Sequence, residues 1–129
     1  MSGYDRRLVE HLLPAVWDVE AAYGIRNPTA PDADMPKGST NPKEGSILQA
    51  HLADIRRAWE KAPLPYVLRQ ALFMRFALDY IHEEIAIVQN VTRQAVGYRL
   101  DRGVGELTAW LNGVTYVDGY DGEEDAEAA

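Results

Sequence analysis

The stretch "HEEIAIVQNVTRQAVGYRL", residues 82–100, has the pattern of two short helices joined by a tight turn. Ala86 supplies the small residue that two closely crossing helices need, and Asn90 follows where the turn needs a residue that tolerates positive φ. Thr92 can cap the second helix. These features predict a helix-turn-helix over residues 82–102, with an ordinary helical hairpin as the alternative. The residues expected to be buried around the turn are Ile85, Val91, Val96 and Leu100.

Three amphipathic helices are predicted before this stretch. The first covers residues 5–23; Gly24 ends it, and Pro14 either kinks it or divides it into two shorter helices. The second begins at Ser46, because "SILQ" matches a capping box, and the third runs from about Tyr66 to Leu78. The apolar residues expected to face the core are Leu8, Val9, Leu12, Leu13, Val16, Trp17, Ile47, Leu48, Leu52, Ile55, Trp59, Leu68, Leu72 and Phe76.

The 129 residues are expected to form one small all-α domain, because this length allows one modest core and no segment alternates over the length of a useful strand. Residues 1–26 form the N-terminal amphipathic helix, for packing or self-association. Residues 27–45, with four prolines and two glycines, form a loop. Residues 46–111 form the helical domain, and residues 112–129 an acidic disordered tail.

The formal net charge of −7 is unevenly distributed. Residues 112–129 carry six acids and no Lys or Arg, whereas residues 56–102 carry eight basic and five acidic residues. An acidic chain can therefore still present a weakly basic face on its folded part. The acids of the tail are expected either to compete with phosphate for that face or to contact a basic partner protein.

The segment "LRQALFMRFALDYIHEEIAIVQNVTRQAVGYRLDRGVGELTAWL", residues 68–111, resembles region 4 of the bacterial sigma-70 family and the related helix-turn-helix domains of phage-encoded regulators. The matching features are an apolar helix, "EEIA" at 83–86, the turn residue Asn90, "TR" at 92–93 and the "RL" pair within "YRLDR" at 98–102. The resemblance implies a domain that reads a DNA major groove and can also touch RNA polymerase. Residues 1–60 do not resemble the sigma segment that melts promoter DNA.

Four residues depart from the family pattern. Ile81 stands where a Ser or Thr cap is usual, and Gln89 where a buried Leu is usual. Gly103 and Gly105 follow the proposed recognition helix, and each costs up to ~1 kcal/mol in a helix interior. The second helix is therefore expected to be short or flexible before residues 106–111.

The second helix of the motif carries the candidate DNA-contacting residues. With its apolar side turned inward, Gln94, Tyr98 and Asp101 lie on the outer face, with Gly97 beside them. Gln94 suits adenine, and Tyr98 suits a thymine methyl group or a phosphate. Asp101 would repel phosphate unless it pairs with Arg102 or with an arginine elsewhere. The candidate DNA-binding residues are Thr92, Arg93, Gln94, Tyr98, Arg99 and Arg102, each of which has solvated surface as its alternative role.

Other chemistry is not expected. Cysteine is absent, and the three histidines are too widely separated for a metal site, so no metal, cofactor or enzymatic activity is predicted. Glu83 and Glu84 are explained by the positive end of a helix dipole. No apolar run approaches the ~20 residues of a membrane span, and the N-terminus lacks a signal peptide pattern. The three tryptophans, Trp17, Trp59 and Trp110, are expected to anchor the core.

The leading interpretation is a sequence-specific DNA-binding transcription regulator, phage or prophage encoded and located in the bacterial cytoplasm. Its expected partners are double-stranded DNA, a second copy of the chain and RNA polymerase. One alternative is a DNA-packaging component similar to a small terminase subunit, which a ring-shaped oligomer would indicate. Another is a protein-interaction module that has lost DNA binding, with the acidic tail as its working part.

Overall fold

The computed structural model describes residues 3–17 and 42–122, and this part of the chain is all-α, as predicted. Its helices are α1 (Arg6–Leu12), followed directly by a 3-10 helix (Leu13–Val16), then α2 (Pro42–Lys61), α3 (Tyr66–Phe76), α4 (His82–Gln89) and α5 (Arg93–Leu111). Residues 18–24, predicted to complete the first helix and its stop, lie outside the described residues. The same holds for residues 27–41 of the predicted loop.

Helix α1 begins at a side-chain cap and ends near a proline. The Asp5 Oδ1 accepts a hydrogen bond from the Leu8 N–H at 2.8 Å, which satisfies one donor of the first turn. Pro14 cannot donate the backbone bond that an α-helix would need, and the chain tightens into the 3-10 helix around it. Two short helices therefore meet here, one of the two outcomes that the sequence predicted.

Helix α2 begins at Pro42, ahead of the predicted start at Ser46. Proline suits the first turn because its fixed φ is already helical and its missing N–H would have no partner there. Ser46 therefore lies inside the helix and is not its cap. The apolar stripe is as predicted for Leu52 and Ile55, which are buried, whereas Ile47 is 56% exposed.

Helix α5 is the central element of the fold and packs against the other four α-helices. Its only buried polar side chain among the described residues, Thr108, donates its hydroxyl proton to the Val104 carbonyl at 2.8 Å. Apart from this hydroxyl and that of Tyr4 the core side chains are apolar, so the stability of the core depends on burial and close packing. The largest fully buried apolar side chains are Val9, Leu12, Leu13, Ile55, Leu72, Ile85, Val96 and Leu107.

The glycines of α5 do not interrupt it, contrary to the sequence prediction. A Cβ at Gly103 would lie 2.8 Å from Leu72 Cδ1, so the absence of a side chain allows α3 to approach α5 closely. At Gly105 the space of a Cβ is taken by the Tyr116 ring and the Arg6 guanidinium. Packing against these neighbours offsets the entropic cost of glycine, and the helix continues to Leu111.

Two tryptophans form an aromatic cluster at one end of the core. The Trp17 ring meets the Trp59 and Phe73 rings edge to face, with centroids 4.8 and 5.6 Å apart. The Arg69 guanidinium lies 5.1 Å from the Trp59 ring centroid and donates to the Ala62 carbonyl at 3.1 Å. Trp110 also packs partly buried against the core, so all three tryptophans are anchors as predicted.

Residues 112–122 return to the N-terminus, and the predicted disordered tail does not begin at residue 112. The Asn112 side chain exchanges two hydrogen bonds of 2.8 Å with the backbone of Tyr4. The Arg6 N–H donates to the Asp121 carbonyl at 3.0 Å, and Asp5 and Gly122 form an isolated bridge. The N-terminal segment supplies hydrogen-bond partners that hold residues 112–122 in place. Residues 123–129 lie outside the described residues.

Tyr4 joins the N-terminal segment to α2. Its buried hydroxyl donates to Asp54 Oδ2 at 2.8 Å and lies 2.7 Å from His51 Nδ1. Burial, together with the nearby Asp54 carboxylate, holds the pKa of the Tyr4 phenol well above its usual range. The phenol therefore stays neutral and keeps its hydrogen bond to Asp54. This contact holds Tyr4 against α2 and thereby helps to position Arg6, two residues further along the chain.

Candidate nucleic-acid interface

The turn between α4 and α5 has the predicted backbone conformation. Asn90 has φ 56° and ψ 50°, in the left-handed region, and the Val91 N–H donates to the Ala86 carbonyl at 3.0 Å. The Thr92 Oγ1 then accepts a hydrogen bond from the Ala95 N–H at 3.1 Å and caps α5. Asn90 thus sets the direction of the chain, and Thr92 sets where the next helix begins.

Helix α4 begins without a side-chain hydroxyl cap. The Glu84 Oε1 accepts a hydrogen bond from the Ile81 N–H at 2.9 Å, which is one half of a capping box. Ile81 cannot supply the other half, because its side chain has no acceptor. Glu83 and Glu84 both lie in the first turn, where a negative charge is favoured by the helix dipole.

The outer face of α5, defined here as Gln94, Tyr98, Asp101 and Arg102, is exposed to solvent. Tyr98 is 55% exposed, a large fraction for an aromatic side chain. Apart from its chain neighbours and the backbone of its own helix, nothing lies within 4 Å of the position that a Cβ would take at Gly97, so the surface beside this face is open. The face presents an amide, a phenol, a carboxylate and a guanidinium.

Arg93 is held loosely at the start of α5. Its Nη1 lies 3.8 Å from Glu83 Oε1, and both side chains are about 70% exposed, at 71% and 68%. Such a pair is screened by water and salt and contributes little to stability. The guanidinium can therefore exchange this carboxylate for another anion at small cost.

Arg99 is half-buried and belongs to a polar network between three helices. Its Nη1 donates to Gln89 Oε1 at 2.8 Å. The Gln89 Nε2 donates in turn to the Val67 carbonyl and to Gln70 Oε1, both at 3.0 Å. Gln89 thus replaces the expected apolar contact with a bridge from α3 to α5, and Arg99 lies at the side of α5 with one of its five N–H donors engaged.

Asp101 is paired with an arginine from α1. The Arg6 Nη2 lies 2.5 Å from Asp101 Oδ1 and 2.6 Å from the Asp101 carbonyl oxygen. Residues of the C-terminal segment lie on the same side: Arg6 Nε is 3.5 Å from Asp121 Oδ1. Burial raises the pKa of the nearby Tyr116 phenol, and the negative charges of Asp118 and Asp101 raise it further. The acid of the outer face is therefore paired with a residue that is distant in sequence.

All six candidate DNA-binding residues lie on the first three turns of α5 or at its cap. Thr92 is used in capping, Arg93 and Arg99 have carboxylate and amide partners, and Gln94, Tyr98 and Arg102 are exposed. Arg6 was not predicted from the sequence to be part of this region. The signal for it was the unpaired charge of Asp101, which required an arginine but did not indicate which one.

The part of the chain that the structure describes contains no group of three or more His, Cys, Asp or Glu side chains suited to a metal ion. None of its helices combines the length and apolar character needed to cross a membrane. No protein family model matches the chain, nor does any curated protein or solved structure. Its function is therefore inferred from its own residues and geometry.

Proposed function

We propose that the chain is a sequence-specific DNA-binding transcription regulator whose α4–α5 pair is a helix-turn-helix of the sigma region 4 type. The first turns of α5 enter the major groove. The observation that carries the proposal is the left-handed turn at Asn90, followed by a capped helix whose outer face is polar and open. This arrangement presents the N-terminal part of a helix, the part that reads bases in such motifs.

Base recognition is assigned to Gln94 and Tyr98. A glutamine amide can donate to and accept from adenine in the major groove, and both side chains are exposed on adjacent turns. Tyr98 contacts a thymine methyl group with its ring or a phosphate with its hydroxyl. Gly97, beside them on α5, leaves room for a close approach of the helix backbone.

Phosphate contacts are assigned to the residues around these two. Arg93 exchanges Glu83 for a phosphate, and the exposed Arg102 binds the backbone directly. Arg99 keeps its bond to Gln89 and uses its remaining N–H groups, so its position is fixed before DNA arrives. The N-terminal end of α5 adds a favourable dipole beside Thr92.

One short recognition helix makes few contacts, so the proposal includes a partner. The chain acts as a homodimer or together with RNA polymerase. It is encoded by a phage or prophage and acts in the cytoplasm of the bacterial host. Dimerisation would double the number of base contacts, and two-fold symmetric DNA sites would follow from it.

The proposal is tested by selecting bound sequences from a random duplex library with the wild-type chain and with Gln94→Ala. The wild type should enrich a defined sequence. Gln94→Ala should lose preference at one base position, with a cost of about 1–3 kcal/mol on the selected site. Gln49→Ala, on the exposed surface of α2, is the matched control and should select the wild-type sequence.

Failure of the wild type to enrich any sequence contradicts the proposed function. Identical profiles for the wild type and Gln94→Ala leave DNA binding in place but remove Gln94 from base recognition. Light scattering on the same samples distinguishes a monomer or dimer from the closed ring expected of a packaging component.

A further inference from the structure

An acid on the outer face of α5 works against the proposed function. The Asp101 side chain is 64% exposed and lies one turn beyond Tyr98 on the same helix. A carboxylate at this place approaches the DNA backbone together with the arginines, and like charges repel across the short distances of an interface. A DNA-binding surface that contains Asp101 therefore needs a group that pairs with the carboxylate and fixes its orientation.

Arg6 does both through two contacts to one residue. Its Nη2 is 2.5 Å from the carboxylate and 2.6 Å from the main-chain carbonyl of Asp101. Because one nitrogen contacts both the backbone and the side chain, the carboxylate is drawn against α5 on the side that faces α1. A lysine could keep the charge, but it lacks the further N–H groups with which the guanidinium also reaches the Tyr120 carbonyl and the Asp121 carboxylate.

Arg6 is itself fixed from several directions. Its side chain is only 14% exposed, its Nη1 donates to the Tyr120 carbonyl at 3.3 Å, and its Nε is 3.5 Å from Asp121 Oδ1. Its own backbone N–H donates to the Asp121 carbonyl at 3.0 Å. These contacts hold the guanidinium in place, so rotation of the Asp101 side chain toward the DNA would break its pairing with Arg6.

We infer that Arg6 is a positioning residue of the DNA-binding surface, which turns the Asp101 carboxylate away from the phosphate backbone so that α5 can enter the groove. This inference rests on the proposed function. Arg6 touches no DNA. Its effect depends on Asp101, and this dependence separates positioning from a simple loss of positive charge.

The test is a double-mutant cycle on the selected duplex, with Arg6→Gln, Asp101→Asn and the double variant, each measured by fluorescence anisotropy at low salt. Arg6→Gln should weaken binding about five- to tenfold when Asp101 is present, because a freed carboxylate then faces the phosphates, and less than about twofold in the Asp101→Asn background. Arg7→Gln removes one charge from the exposed neighbouring position on α1 and is the control. It should bind like the wild type.

Equal costs of Arg6→Gln in both backgrounds overturn the inference, since a pure charge effect or a loss of folding would not depend on Asp101. If thermal melting shows that Arg6→Gln is unfolded, Arg6→Lys replaces it. That variant keeps the charge, and it should cost about two- to threefold with Asp101 and nothing with Asp101→Asn. The same cost in both backgrounds again overturns the inference. Absence of any DNA binding by the wild type would instead contradict the proposed function, and the inference with it.

Discussion

Asn90 determines the geometry of the α4–α5 pair more directly than any other residue. Its φ of 56° lies in a region that costs most side chains energy, because the Cβ approaches the following carbonyl. Asparagine tolerates this conformation better than most residues do. The residue type therefore suits the backbone conformation at this position, and this agreement favours one conformation of the turn.

Two substitutions of Asn90 should differ in their effect on the free energy of unfolding. Asn90→Gly should change the free energy of unfolding by less than ~1 kcal/mol, because glycine adopts positive φ without strain but loses more entropy on folding. Asn90→Val should cost about 1–3 kcal/mol, because a β-branched side chain is strained there. Urea denaturation measures both. Thr115→Val, at an exposed position of ordinary φ, is the control, and equal stability of Asn90→Val and the wild type would show that the turn is built differently.

Gln89 shows how a single polar residue can replace an apolar contact between helices. Its amide bonds to Arg99, Gln70 and the Val67 carbonyl, so each of its polar atoms has a partner. Among the described residues no buried side-chain polar atom lacks a hydrogen bond, and this network is part of the reason. The departure from the family pattern at Gln89 is therefore compensated by Arg99.

At the scale of elements, α5 has two functions along its length. Its first turns expose the outer face, and its later turns form the centre of the core, where Val104 and Leu107 are buried. Gly103 and Gly105 lie in the second part and permit close approach of α3 and of the C-terminal segment. A helix that would be weak in isolation is therefore continuous because its neighbours pack on it.

Alanine substitutions at two glycines of α5 should change the stability of the fold in opposite directions. Gly97→Ala should stabilise the fold by up to ~1 kcal/mol, because alanine favours the helix and the added methyl group meets open space. Gly103→Ala should destabilise it by about 1–3 kcal/mol, because its methyl group would meet the fully buried Leu72. The two changes are chemically identical, so thermal melting compares packing alone. Stabilisation by both would contradict the close approach of α3.

At the scale of the whole molecule, the two ends of the described chain are joined beside α5. Tyr4 pairs with Asn112, Arg6 joins Asp101 and Asp121, and Gly122 lies against Tyr4 and Asp5. Of the two acids in residues 112–122, Asp121 therefore contacts Arg6 and not the arginines at the start of α5. We therefore expect competition with phosphate to come from the acids beyond Gly122.

Truncation after Gly122 tests the tail as an electrostatic competitor. It removes Glu123, Glu124, Asp125 and Glu127 but none of the contacts described above. Binding to random-sequence DNA should tighten several-fold at low salt, because nonspecific binding is mostly electrostatic, and the difference should shrink as salt is added. A full-length chain with these four acids changed to amides should behave like the truncated one. Unchanged affinity would assign the tail to a basic partner protein.

Much of the local structure could be predicted from sequence. Turn chemistry at Asn90, the Thr92 cap and the apolar spacing around Ile85 and Val96 each depend on a few neighbouring residues, and each was found where predicted. The start of α2 at Pro42 was missed, because a proline-rich stretch that looked like a loop contained a residue suited to a first helical turn. The candidate interface was predicted as residues of one helix, without Arg6.

The sequence by itself determined the helical class, the turn and the chemistry of the outer face, because helix periodicity, capping and positive φ act over one or two turns. Only the tertiary structure decided which arginine meets Asp101, since Arg6 lies 95 positions away along the chain. It also decided that Gly103 and Gly105 continue α5, because their neighbours, Leu72 and Tyr116, arrive from other parts of the chain. Such contacts depend on how whole elements pack, and no local pattern encodes which surfaces will meet.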